Sequence, residues 1–244
     1  MKLACFRTGF LFLSGDVKCR CRSVFKSFAL SRNIQIYLQK IDQFFFTDPH
    51  QSRVEQIKQR KQLICGYRNQ LLSKQLNRPV QSSDFAATEY GKPYLPAHPD
   101  FGFNHTHSQN FYALATSKSF QNLGIDIEEL NRNVRFEALA QHAFHPEELK
   151  QWQALGYDPE YWFKVWTTKE AVLKASGLGI RINLNELNTQ IHPHQDGGRC
   201  EHPEIGIYAY QNYILAGCML TVAWQSEHSC KGLRFPTIQI HQAV

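Results

Sequence analysis

The most constraining stretch of this 244-residue chain is Gly124-Ile125-Asp126-Ile127-Glu128. Acids alternate with isoleucines, and in a strand residues two apart point to the same face. The stretch therefore reads as a short buried strand, with Ile125 and Ile127 on one side and Asp126 and Glu128 projecting together on the other. Two carboxylates held side by side repel unless a proton or a cation sits between them. A hard divalent ion such as Mg2+ relieves that repulsion and prefers oxygen ligands. By itself a pattern this short more often marks an ordinary strand end with solvated acids, so its neighbours decide what it does.

The chain is long enough to bury a core and has a globular composition, 43% hydrophobic and 20% charged. No apolar run approaches the ~18 residues needed to span a bilayer, so no membrane association is expected. Seven cysteines (Cys5, Cys19, Cys21, Cys65, Cys200, Cys218 and Cys230) include no C-x-x-C pair. That pattern points to reduced thiols in a cytoplasmic setting. Charge is uneven: residues 1–80 hold 15 Lys/Arg and 4 Asp/Glu, and the remainder holds 12 and 17. A basic half facing an acidic remainder suits a phosphate-rich ligand or an acidic protein partner, and equally a solvated basic surface. No zinc-finger spacing or RNP-type aromatic motif supports a nucleic-acid partner.

Residues 1–32 are basic, contain one acid, Asp16, and read as a leader outside the fold. Alternating Ile34, Ile36 and Leu38 predict a strand. Asp48-Pro49 predicts an N-cap followed by Pro at the first helical position, opening one or two helices that reach Asn77. Their apolar side carries Val54, Ile57, Leu63, Ile64, Leu71 and Leu72, and their polar side Arg53, Lys58, Arg60, Lys61, Arg68 and Lys74. Arg78-Pro79 ends the helix. Tyr90 to Pro96 is a rigid turn presenting Lys92, and Phe101, Phe103 and His105 alternate into the polar cluster Asn104-His105-Thr106-His107-Ser108. Strands are expected from Phe111 to Thr116 and from Asn122 to Glu128. Helices then run over Arg135–Ala143, from Pro146 with Glu147 and Glu148 in its first turn, and over Glu160–Ser176 between Asp158-Pro159 and Gly177. On the last helix Glu170 and Lys174 share a face, as a surface ion pair would. Leu187 to Trp224 predicts several antiparallel strands, and the rest a tail with one possible strand.

The order of these motifs carries more than any one of them. Gly91-Lys92-Pro93, Asn104-His105-Thr106-His107-Ser108, Gly124-Ile125-Asp126-Ile127-Glu128 and Trp166-Thr167-Thr168-Lys169-Glu170-Ala171 with Lys174 together resemble the Sfp-type 4'-phosphopantetheinyl transferases. The resemblance covers roughly residues 34–225. It implies an α+β fold built as a pseudo-dimer of two similar α/β halves, 33–123 and 124–225, leaving 226–244 as a tail. It also implies an enzyme that moves the 4'-phosphopantetheine arm of coenzyme A onto a serine of an apo acyl or peptidyl carrier protein and releases 3',5'-ADP. Carriers of fatty-acid, polyketide and nonribosomal-peptide biosynthesis are the expected partners, and a monomer is expected because the two halves build their own cleft.

By the same resemblance Asp126, Glu128 and Glu170 hold Mg2+, and Lys92, Thr106 and His107 hold the nucleotide 3'-phosphate. Lys174 balances or protonates the departing phosphate, and Glu170, or Glu148 within His145-Pro146-Glu147-Glu148, serves as general base directly or through water. Basic residues between Arg53 and Arg68 are candidates for further phosphate contacts. Thr106 replaces the serine usual in the family, and His105 stands where an apolar residue is usual, so the 3'-phosphate pocket is where this chain departs from the pattern. A non-catalytic coenzyme A or carrier-protein binding module and a Mg2+-dependent nucleotide pyrophosphate hydrolase are the competing readings.

Overall fold

A computed structural model describes residues 32–43, 51–179, 181–227 and 235–242. The first strand, β1 (Asn33–Lys40), buries every second residue, as the alternation of Ile34, Ile36 and Leu38 requires. Helix α1 (Arg53–Leu76) starts later than expected. Its N-cap is Ser52, whose hydroxyl accepts from the Glu55 amide at 3.3 Å, while the Glu55 carboxylate accepts from the Ser52 amide at 2.9 Å. This reciprocal capping box satisfies two otherwise orphan donors. The expected cap at Asp48-Pro49 lies outside the described residues. The helix closes at Asn77 in the left-handed region, φ 51°, ahead of Arg78-Pro79. Two short strands, β2 (Ala86–Ala87) and β3 (Pro93–Tyr94), lead to the antiparallel pair β4 (Gly102–His107) and β5 (Phe111–Ser117).

The chain then enters β6 (Leu123–Glu129), three helices, α2 (Phe136–Ala143), α3 (Pro146–Ala154) and α4 (Pro159–Ser176), and the strands β7 (Gly197–His202), β8 (Gly206–Leu215) and β9 (Cys218–Gln225). These are the helices and the antiparallel strands that the sequence predicts. Two sheets result, ordered β4-β5-β1 and β6-β9-β8-β7. In each, an opening strand pairs with the last strand of a later hairpin, and the first strand of that hairpin lies outermost of the three. Between the opening strand and the hairpin lie α1, β2 and β3 in the first case and α2, α3, α4 and β7 in the second.

The stretch expected to be a tail with one possible strand forms one strand among its described residues. Strand β10 (Thr237–Gln242) pairs in parallel with β1, placing Asn33 opposite Thr237 and Leu38 opposite Gln242, and becomes the outer strand of the first sheet. Only long-range pairing reveals this. The alternation of Ile238 and Ile240 is too short to name a partner. The segment 1–31 lies outside the described residues, and among those described no helix is long and apolar enough to cross a membrane. Cys65, Cys200 and Cys218 are free thiols, as expected; Cys5, Cys19, Cys21 and Cys230 lie outside the described residues.

Three packed clusters divide the strand faces. Ile34, Ile36, Ala113, Ile125, Ile127 and Val222 belong to a cluster shared by both sheets. The opposite face of the first sheet meets α1 through Leu114, Phe103, Ile64 and Leu72. The opposite face of the second sheet meets α4. Because side chains alternate along β6, burying Ile125 and Ile127 in the shared cluster sends Gly124, Asp126 and Glu128 to the α4 side.

Candidate active site

Gly124 sets the distance between β6 and α4. A Cβ at this position would stand 2.0 Å from the Ala171 carbonyl oxygen and 2.5 Å from the Ala175 amide nitrogen. No side chain fits there, so the strand lies directly against the helix and the acids of β6 face Glu170 and Lys174. On its other flank β6 is an edge strand, next to the β4 edge of the first sheet. An edge leaves amides without ladder partners. Here the Ile125 amide donates to the Asn104 side-chain oxygen at 3.1 Å. Glu129, at the end of β6, accepts from the Ser108 hydroxyl at 2.7 Å, the Asn110 amide at 2.7 Å and the Asn110 side chain at 2.8 Å. These bonds tie the turn after β4 to the second half.

Asp126 is 5% exposed. Its Oδ1 accepts from the Lys174 ammonium at 2.6 Å and the Thr106 hydroxyl at 3.1 Å, and Lys174 also lies 3.1 Å from that hydroxyl. Its Oδ2 is buried with no hydrogen-bond partner. Burying an unpaired carboxylate oxygen is costly, so it marks a place where a ligand belongs. Glu128 takes a 2.6 Å bond from the Arg132 guanidinium. Burial pushes the Glu128 carboxyl above its ordinary range, Arg132 opposes this, and the Asp126 charge adds to it. Burial likewise raises Glu170, with Asp126 and Glu128 raising it further and Lys174 pulling it down. The three carboxylates predicted to act together therefore sense one another, with one lysine among them. Among the described residues no group of three or more His, Cys, Asp or Glu side chains is placed so that it could hold a metal ion. The all-oxygen donor set and the unpartnered Asp126 Oδ2 nonetheless fit a hard cation.

The predicted phosphate ligands are placed less uniformly. Thr106 is buried and its hydroxyl serves Asp126. The Lys92 ammonium donates to the Ala175 carbonyl at 2.7 Å and the Leu123 carbonyl at 3.2 Å, clamping the end of α4 to the start of β6. Burial lowers its pKa to about 8. His107 is exposed at the end of β4, with its proton affinity reduced first by partial burial and then by Arg60 and Lys174. The unusual His105, two residues before His107 on the same face of β4 and opposite to Thr106, lies beside Arg68 and Tyr112. Burial first, then the neighbouring Arg68, His107 and Lys174, lower it to about 3, so it is neutral at physiological pH. Arg68, assigned to the polar side of its helix, is buried and stacks 4.0 Å from the Phe85 ring centre. A guanidinium tolerates this because its face is weakly hydrated.

Glu148, the alternative to Glu170 as general base, lies in the interior. It is 2% exposed, and both oxygens are engaged. One accepts from the Thr189 amide at 2.8 Å and from the Thr189 hydroxyl; the other accepts from the His145 amide at 2.8 Å and pairs with the Lys169 ammonium at 2.8 Å. Both Glu148 oxygens are thus taken up by protein partners in the interior. Lys169, 1% exposed, also donates to the carbonyls of Leu184 and Leu187. The pair joins α3, α4 and the 184–189 segment immediately before Glu170. Sequence spacing alone could not reveal it, because Glu148 and Lys169 meet only through the packing of two helices. Arg132 escaped notice for a similar reason, since its link to Glu128 is made by a turn.

The site therefore comprises a strand of acids lying against a helix of opposite and like charge, beside a basic rim. Residues 122–218 match the family model of the 4'-phosphopantetheinyl transferase superfamily, which spans β6 through the start of β9 and includes Asp126, Glu128, Glu170 and Lys174. Among individual proteins, the chain is 31% identical over 129 residues to the 4'-phosphopantetheinyl transferase Sfp of Bacillus subtilis, covering 52% of this chain and 55% of that one. It is 33% identical over 109 residues to another Bacillus subtilis 4'-phosphopantetheinyl transferase, covering 44% and 47%. It is 37% identical over 108 residues to the 4'-phosphopantetheinyl transferase HetI of a Nostoc species, covering 42% and 45%. The chain spans about half the length of the curated relatives it matches. The resemblance read from the four motifs holds, and so does the α+β class.

Proposed function

We propose that the chain is a Mg2+-dependent 4'-phosphopantetheinyl transferase. It moves the arm of coenzyme A onto a serine of an apo acyl or peptidyl carrier protein. The observation that carries this reading is the convergence of Asp126, Glu128, Glu170 and Lys174 where β6 meets α4, with Asp126 Oδ2 buried and unpartnered. Asp126, Glu128 and Glu170 would hold the Mg2+, which neutralises pyrophosphate charge when bound. In the transfer, the serine oxygen bonds to the β-phosphorus, the bridge to the adenosine-side phosphate breaks, and 3',5'-ADP leaves with the bonding pair. Lys174 offsets the negative charge that grows on that leaving group. The serine proton goes to Glu170, directly or through one water. His107 faces the 3'-phosphate, helped by the third proton of Lys92 and by the Thr106 hydroxyl that orients Lys174. The reaction takes place within one chain, since both halves contribute to the site.

The test is to incubate the full chain with coenzyme A, Mg2+ and a panel of apo carrier proteins while following carrier mass. A phosphopantetheine-sized increase is expected, and its absence across carriers that an active control modifies would sink the proposal. Release of 3',5'-ADP without a carrier would point instead to hydrolysis. Asp126→Ala and Glu170→Ala should each lower transfer by at least ~1,000-fold, a loss of about 4 kcal/mol of transition-state stabilisation, with circular dichroism unchanged.

A further inference from the structure

Gly124 sets how closely α4 approaches β6, but a glycine offers no side chain to fix how the helix is turned about its own axis. Rotation matters here. Turning a helix by ~20° swings a side-chain tip ~5–6 Å from the axis through about 2 Å. Thr167, Glu170 and Lys174 follow one another at intervals of three and four residues, so they form one stripe along α4. Whatever holds Thr167 therefore aims the two charged groups that α4 brings to the site.

The second sheet holds Thr167. In its register Thr221 of β9 stands opposite Asp126 on one side and opposite Asn212 of β8 on the other. Residues directly opposite share a face, so Asp126, Thr221 and Asn212 form a row beneath α4. The Asn212 side-chain amide donates to the Thr221 hydroxyl at 2.7 Å and to the Thr168 hydroxyl at 2.8 Å. The Thr168 hydroxyl donates to the Lys164 carbonyl at 2.7 Å, and the Thr167 hydroxyl to the Phe163 carbonyl at 2.9 Å. With the Thr167 proton committed, the 2.7 Å bond between the two threonines runs from Thr221 to Thr167. Thr167, Thr168 and Thr221 are fully buried, and Asn212 is nearly so. The row continues to Asp196, whose carbonyl accepts from the Asn212 amide at 2.6 Å and whose carboxylate meets Lys164 of α4 at 3.3 Å.

Polar side chains are a costly filling for a buried seam between helix and sheet. Apolar ones would bury as readily, but their attraction is non-directional and would let the helix turn. Hydrogen bonds weaken steeply when bent, so this row favours one rotation. The Asn212 Oδ1 is buried with no partner among the described residues, so the row is not arranged for stability alone.

We propose that Asn212 and Thr221 are positioning residues that fix the rotation of α4 through Thr167, and thereby where Glu170 and Lys174 stand against Asp126. Asn212 orients the Thr221 hydroxyl by donating to it, and Thr221 passes that orientation to the helix. Both act through α4 and not on the reacting atoms. The proposal rests on the transferase reading for its kinetic consequence and adds what aligns the two faces of the site.

The test compares Thr221→Val, which keeps the shape and removes the hydroxyl, with Thr221→Ser, which keeps the hydroxyl. Transfer is measured on the full chain at saturating Mg2+ and coenzyme A against varied apo acyl carrier protein. A displacement of about 1 Å costs on the order of 100-fold, so Thr221→Val is expected to lower kcat by about that factor. KM for the carrier should stay unchanged, and Thr221→Ser should restore most of the lost rate. A triple variant, Thr167→Val with Thr221→Val and Asn212→Leu, removes donors and acceptors together. It should melt close to the wild type, since no partner is left unsatisfied, yet remain as slow as Thr221→Val. Wild-type kcat in Thr221→Val or in the triple variant would overturn the proposal, as would Thr221→Ser being as slow as Thr221→Val. Crystal structures of the variants give a readout independent of turnover. The 2.6 Å contact between Lys174 and Asp126 is expected to break in Thr221→Val and to persist in Thr221→Ser. An unbroken contact in Thr221→Val would overturn the proposal. A broken contact in a protein whose wild type transfers nothing would keep it and reject the transferase reading.

Discussion

Helix α4 buries twelve of its eighteen residues; α1, the helix against the first sheet, buries four of its twenty-four. The two helices also lie at different distances from their sheets. Gly124 brings β6 into direct backbone contact with α4, whereas large side chains such as Ile64 and Leu72 separate α1 from its sheet. Close contact fixes the four charged groups of the site relative to one another, which catalysis needs to within a fraction of an ångström. The looser helix keeps an exposed, charged start.

The comparison breaks most readily at the buried pair behind α4. Lys169→Met leaves Glu148 charged and unpaired in the interior, which should destabilise the protein by about 3–5 kcal/mol. Denaturant unfolding reads this directly, and a change below about 1 kcal/mol would show that α4 is not held by that pair. On α1 the expectation splits along the helix. Ile64→Ala should cost about 2–5 kcal/mol, as core truncations do. Ile57→Ala on the same face should cost less than about 0.5 kcal/mol. Equal losses at the two positions would mean that the start of α1 is packed after all.

Gly124→Ala tests the contact itself. The added methyl has backbone, not a flexible side chain, in its way, so a loss of about 1–3 kcal/mol is expected. Transfer activity should fall further than the loss of folded protein explains, because β6 must move away from Lys174. Undiminished activity per folded molecule would separate the close approach from the chemistry.

The smallest effect concerns Lys92. Its folded pKa of about 8 lies below the ordinary 10.5 because the ammonium is buried. Between those values the unfolded chain binds the proton and the folded one does not, so stability should rise with pH across that window. It should be flat below pH 8, where both states are protonated. The two carbonyls that accept from the ammonium offset part of the burial, so the rise should be on the order of 1 kcal/mol. Its absence from the difference between wild type and Lys92→Met would place the ammonium in solvent.

Much of the fold was legible. The alternation of Ile34, Ile36 and Leu38, the stops at Asn77 and Gly177 and the proline-led starts of α3 and α4 are local signals. The local backbone obeys them because each satisfies an orphan donor or removes a steric conflict. The exposure of Val54 and Ile57 was not legible, since periodicity reports which residues share a face and not whether anything lies beneath it. Nor was the partner of β10, since β1 is some two hundred residues away.

For the site the division is similar. Alternation alone determined that Asp126 and Glu128 share a face, and helical spacing that Glu170 and Lys174 share another. Tertiary structure alone decided that these two faces meet, because that depends on Gly124 admitting a helix backbone where any side chain would collide. It also decided how differently Glu148 and Glu170 are surrounded. Both are acids near a lysine in the sequence, and burial separates them. Glu148 is sealed in with all its lone pairs spoken for, while Glu170 shares its surroundings with the charges of Asp126, Glu128 and Lys174.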